Sequence, residues 1–162
     1  MNTNNLKTQT QHALEQLDSQ AAIPHRLQCQ SGGERLQAEI IALDTLACAF
    51  NYLGVEVDSL ASAPVTTLKQ VAERLSKRLT YLLEPITAVE IDSDGCAIQL
   101  RSNPPQKDDN GASYYELLVK KGGLISLSRY KKEPREVRRL IPAHVTREVF
   151  LRLVDDFSKA AS

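Results

Sequence analysis

Apolar positions along the chain follow two rhythms, one of period two and one of three to four residues. The helical rhythm is clearest at Leu68, Val71, Leu75, Leu79 and Leu82, a stripe bounded by Pro64 and by Glu84-Pro85. Thr66 or Thr67 is positioned to cap its start. A second stripe, Val149, Phe150, Leu153, Val154 and Phe157, follows Thr146 as N-cap. Glu148 stands only two residues after that cap, so a full capping box is not formed. A weaker stripe, Leu6, Ala13, Leu14 and Leu17, predicts a first helix over about residues 6–20, ended before Pro24. Residues 1–5 are polar and expected to fray.

Between the stripes the apolar residues alternate. Leu27 and Cys29 precede Ser31-Gly32-Gly33-Glu34, and Leu36, Ala38 and Ile40 follow it, which reads as a β-hairpin. Leu36, Ile40, Leu43, Ala47 and Phe50 also fit a helix stripe. The strand reading is preferred, with a third strand near residues 46–57. Val89 and Ile91 alternate with polar neighbours, and Ser93-Asp94-Gly95 then turns into Cys96-Ala-Ile-Gln-Leu-Arg, a further hairpin. Ser102-Asn-Pro-Pro ends that strand. Tyr114 through Lys120 and Leu124 through Tyr130, joined at Lys121-Gly122-Gly123, form the next hairpin. Residues 131–139 read as an exposed charged connection.

The expected fold class is therefore α+β, a mostly antiparallel sheet of six or seven strands flanked by three helices. Residues 1–162 read as a single domain with weakly similar halves, 24–84 and 85–158. Each half runs from hairpin to further strand to link to helix, and Val65-Thr66 and Val145-Thr146 open the two helices alike. The resulting pseudo-repeat supports the strand reading of residues 26–57.

Composition narrows the setting. No apolar run reaches the 18 or so residues of a membrane span, and the N-terminus lacks a signal-peptide pattern. Cys29, Cys48 and Cys96 have no zinc or redox spacing, so buried free thiols in a cytoplasmic protein are expected. No cofactor and no metal is implied. The net charge of zero conceals an asymmetry: residues 1–119 carry nine Lys/Arg against fifteen Asp/Glu, and residues 120–152 carry ten against three. Intramolecular matching, self-association and an anionic partner all accommodate that imbalance.

Candidate chemistry is sparse. Gly32-Gly33 and Gly122-Gly123 lie between strand-type runs and lack the Lys-Ser/Thr ending of a phosphate loop, so they read as turns. His12, His25 and His144 form no ligand pair. Glu90 and Asp92 share a strand face that reads as solvated. Arg101, followed by Ser-Asn103-Pro-Pro, can present a fixed guanidinium to a carboxylate or phosphate. Tyr114, Tyr115, Arg129 and Tyr130 join it as ligand- or partner-binding candidates if the strands pair, with His144 beside the last helix. A Glu116–Arg129 bridge requires a suitable register. Lys131, Lys132, Arg135, Arg138, Arg139 and Arg147 are the polyanion-binding candidates. Glu133 and Glu136 dilute that cluster, and the whole chain is neutral.

Three functions follow, from different classes. The favoured one is a non-catalytic module that binds a protein partner or itself, with no membrane partner. Another is a small enzyme with a polar cleft around Arg101, Tyr115, Arg129 and His144. Nucleic-acid binding through residues 129–152 is the third. The order of elements is similar in outline to that of small dimeric secretion chaperones, without a shared motif, which adds only slightly to the binding reading.

Overall fold

All the alternating segments with described coordinates form strands, and the ambiguous stretch 36–53 resolves in favour of the strand rhythm. The computed structural model describes residues 5–17, 24–92 and 97–162. In chain order it contains α1 (Leu6–Gln16), β1 (His25–Ser31), β2 (Glu34–Leu43), β3 (Ala47–Val57), α2 (Val65–Arg78), β4 (Ile86–Asp92) and β5 (Ala97–Ser102). Then follow β6 (Gln106–Lys107), β7 (Ala112–Lys120), β8 (Leu124–Lys132), β9 (Arg139–Ile141), β10 (Ala143–Thr146) and α3 (Arg147–Ala160). The main path of the sheet runs β1-β2-β3-β8-β7-β5-β4, with β10 beside β3, β9 beside β8 and β6 beside β7. Among the described residues the pairings are antiparallel.

The glycine pairs act as turns for a steric reason. Gly122 and Gly123 hold φ of +93° and +92° between β7 and β8, where an L side chain is strained. A Cβ on Gly123 would strike the Val57 carbonyl, and the Gly123 carbonyl accepts from Val57 N–H at 2.9 Å. The turn therefore docks onto the end of β3. The Ser93–Gly95 turn and Cys96 lie outside the described residues, as do residues 1–4 and 18–23.

Two local expectations change. Helix α2 begins at Val65 with extended Pro64 as N-cap and no side-chain cap bond, so Thr66 and Thr67 already lie inside its first turn. Proline suits that entry because its missing N–H would have had no helical acceptor. Thr146 does cap α3, its hydroxyl accepting from Val149 N–H at 3.0 Å. The stretch 131–139 is not simply an exposed connection. Lys131 and Lys132 finish β8, and Arg139 begins β9, which turns back alongside β8.

Helices cover one face of the sheet side by side. α1 lies on β1 and β2, α3 on β3 and β10, and α2 on β4, β5 and β7. Helix α2 thus follows the first three strands in sequence yet covers strands of the second half. Phe50 of β3 and Phe150 of α3 meet edge to face at 5.6 Å, both fully buried. Such a pair adds about 1 kcal/mol to the area it buries. Arg74 of α2 donates to the carbonyls of Ala160 and Ser162, both at 2.9 Å, and closes the end of α3. Tyr81 donates to Asp156 at 2.7 Å and lies under the Arg152 guanidinium, 4.1 Å from its ring centre. Among the described residues, no helix is long and apolar enough to cross a membrane.

Candidate functional site

Strand alternation divides the candidate residues between two faces. On β7, Tyr115, Leu117 and Val119 enter the core beneath the helices, so Tyr114, Glu116 and Leu118 point to the opposite, bare face. Register then carries the cross-strand partners with them: Tyr114 faces Tyr130, Tyr115 faces Arg129, Glu116 faces Ser128, and Arg101 of β5 faces Glu116. Arg101, Tyr114, Glu116 and Tyr130 therefore share the bare face, while Arg129 and Tyr115 share the helix side.

On the bare face, loop 133–138 folds back and lays Arg138 across the sheet. Its guanidinium stacks 3.9 Å from the Tyr130 ring centre, pairs with the Glu116 carboxylate and reaches the Tyr114 hydroxyl at 3.4 Å. Gln99 donates to the same carboxylate at 2.8 Å. Glu116 is 5% exposed, and these donors are what make a carboxylate tolerable there. Arg101 lies over the other aromatic, 5.1 Å from the Tyr114 ring centre. Tyr114 and Tyr130 are themselves 6.2 Å apart.

Arg101, Tyr114 and Arg138 of this cluster line an open groove of about 930 Å³ between the end of β5 and the 132–138 segment. Asn103, Pro105 and Ala112 complete its lining with Lys132, Arg135, Glu136 and Val137. The Asn103–Pro104 peptide is cis. Arg135 holds φ +65°, a conformation that costs a non-glycine residue about 1 kcal/mol. Val137 beside it is 88% exposed, an apolar side chain with little to cover it. With Arg138 neutralised by Glu116, the lining keeps Arg101, Lys132 and Arg135 against Glu136.

On the helix side a second hollow, about 590 Å³, is lined by Leu83, Glu84, Gln106, Tyr115, Arg129, His144 and four prolines. Arg129 stacks 4.5 Å from the Tyr115 ring centre and accepts no free role. It forms an ion pair with Glu84 at 2.9 Å and donates to Gln106 at 3.1 Å. Both charged side chains are nearly buried, at 11% and 13% exposed. The 2.9 Å contact lacks hydrogen-bond direction at Arg129 Nη1, and Glu84 Oε1 has no partner among the described residues. Burial raises the Tyr115 hydroxyl pKa and keeps it protonated. His144 is exposed on β10, opposite Ala49.

The four residues expected around one cleft are thus split, Arg101 from Tyr115, Arg129 and His144. The Glu116–Arg129 bridge does not form, because the register sets Arg129 opposite Tyr115, one residue out of phase with Glu116. Half of the polyanion candidates have a carboxylate partner within the chain. Lys131 pairs with Asp108 and Arg139 with Glu133, both at 3.2 Å, and Arg138 with Glu116. Lys132 donates to the Glu133 carbonyl at 2.8 Å and Arg147 to the Asp44 carbonyl at 2.6 Å. Among the described residues neither thiol is activated: burial raises Cys29 and pushes Cys48 up to about 12.

Sequence reasoning passed over Glu84, Gln99, Ser102 and Val137. Ser102 carried the weakest signal. Its hydroxyl accepts from Tyr115 N–H at 2.8 Å, just past the point where the β5–β7 ladder stops at Arg101–Glu116. Among the described residues, no group of three or more His, Cys, Asp or Glu is arranged to hold a metal ion. No family model, curated protein or solved structure matches the chain.

Proposed function

We propose that this chain is a non-catalytic protein-binding module that receives a partner's polypeptide in the groove on the bare sheet face. The observation that carries the reading is the lining of that groove: Arg101, Lys132 and Arg135 together with the 88% exposed Val137, beside an Arg138 held by Glu116 and Tyr130. Preformed open grooves with convergent charges and an apolar anchor suit recognition. The second hollow supports the enzyme reading less well, since Arg129 is committed to Glu84, Gln106 and Tyr115, and the Tyr115 hydroxyl stays protonated. Backbone amide shift mapping with a panel of extended peptides tests the proposal. Shifts gathered at residues 101–105, 112–114 and 132–138 support it, and shifts confined to other surfaces sink it.

Self-association has one observation in its favour. Ile91, 47% exposed on β4 at the end of the sheet path, borders a hollow of about 240 Å³ formed with Ala72, Ala88, Ile98 and Leu100. A second copy could cover that apolar edge. Light scattering that finds a monomer at every accessible concentration removes this reading.

A further inference from the structure

We infer that the segment received by the bare-face groove is acidic and extended, its carboxylates held by Arg101 and Arg135 and an apolar side chain covering Val137. The inference rests on the proposal that this groove is the binding site.

Charge selects the occupant. Arg138 lies in the lining but is already balanced by Glu116, whereas no carboxylate among the described residues pairs with Arg101 or Arg135. The Arg101 guanidinium lies over the Tyr114 ring, 5.1 Å from its centre, a cation–π contact that leaves the N–H groups unconsumed. Such a planar fork takes a carboxylate through two parallel hydrogen bonds. Arg135 is presented by a backbone at φ +65°, a strained conformation of the kind that clusters at ligand clamps. Val137, two residues on, adds an exposed apolar side chain to the same lining.

The same geometry argues against a single-stranded nucleic acid, the other common anionic occupant. Such strands are gripped by bases stacking on open aromatic faces. Here Tyr114 is only 6% exposed, beneath Arg101, and Tyr130 is covered by Arg138. The cations are open and the rings are occupied, which favours carboxylates on a polypeptide.

Fluorescence anisotropy of the full chain tests the inference, using a short labelled peptide that alternates Glu with Leu. Comparison probes are the same peptide with Gln for Glu, the same with Lys for Glu, and an oligothymidylate of equal charge. The Glu peptide is expected to bind about tenfold or more tightly than the Gln peptide, with affinity falling as salt rises. Arg101→Gln and Arg135→Gly are each expected to weaken it by about three- to tenfold. Arg135→Gly is the cleaner variant, because glycine adopts the required φ freely and the fold is retained. Equal binding of the Glu and Gln peptides overturns the acidic assignment and leaves the groove as a binding site. Failure of every peptide overturns both. Oligothymidylate binding as tight as the Glu peptide, and equally sensitive to the two variants, overturns the assignment in favour of a general polyanion site.

Discussion

Two clusters of arginine, tyrosine and glutamate sit back to back on β7 and β8, separated only by the thickness of the sheet. On the helix side Arg129 stacks on Tyr115 and pairs with Glu84; on the bare side Arg138 stacks on Tyr130 and pairs with Glu116. Their surroundings differ. In the first cluster the two charges match each other and both side chains are nearly buried at the edge of a hollow. The second belongs to a groove with additional cations, and its arginine is 40% exposed. One residue type in one motif therefore acts as an internal clamp on one face and lies beside an open, cation-lined groove on the other, the surface we propose for recognition. What decides is the excess of charge around the motif.

Breaking the helix-side cluster should have the larger effect. Glu84→Ala leaves Arg129 buried without its counter-ion, and a loss of about 3 kcal/mol is expected in urea unfolding. Replacing both partners by apolar residues, as in Glu84→Leu with Arg129→Met, should restore much of that loss. A double variant as unstable as the single one would show that the pair is not the source of the effect. Arg138→Ala on the bare side should cost less, about 2 kcal/mol, because Gln99 still donates to Glu116 and removal of the 40% exposed arginine opens that carboxylate to solvent. If it costs more than Glu84→Ala, the contrast between the faces is wrong.

The extremes of pH should separate the two sides. Burial on the helix side raises Tyr115 and pushes the Cys48 thiol up to about 12. A raised pKa in the folded state stabilises below the ordinary thiol value of 9.0 and is lost as pH rises from there towards 12. Alkaline unfolding in that window, followed by circular dichroism, is expected to be accompanied by exposure of Cys48 to alkylation. A Cys48 that alkylates rapidly in the native state at pH 8 would refute its burial.

The smallest effect lies at acid pH, where the exposed carboxylates act. Asp108 is held low by the N–H groups of Asn110 and Gly111 and by Lys131, and Asp58 is held low by Arg35. A depressed pKa stabilises above the ordinary carboxylate value of about 3.9 and is lost as pH falls below it. The turn between β6 and β7 should loosen first, seen as faster amide exchange at Asn110 and Gly111. Their protection persisting unchanged to pH 2 would contradict the assignment.

Much of this architecture was legible before any coordinates. The glycine pairs at 32–33 and 122–123 stand between alternating runs, and both became turns, in which Gly32, Gly122 and Gly123 hold a positive φ that excludes most side chains. The stripes of α2 and α3 were equally plain. Their partners were not: α2 covers β4, β5 and β7 instead of the strands that precede it, a choice made by packing between distant segments. The candidate site was legible as a set of residues and illegible as a constellation. Tyr114 and Tyr115 are adjacent letters with opposite destinations, and only the register against Tyr130 and Arg129 assigns them.

The sequence by itself determined a mostly antiparallel sheet with three helices, the sites of its described turns, and a basic last third. Those properties are local, set by side-chain period, backbone freedom and composition. Tertiary structure alone decided that the basic segment is partly neutralised within the chain, that Arg138 returns from a loop to meet Glu116, and that Arg101 is parted from Arg129 by a sheet. Charges many residues apart pair according to distance in space, and that distance exists only once the strands have aligned.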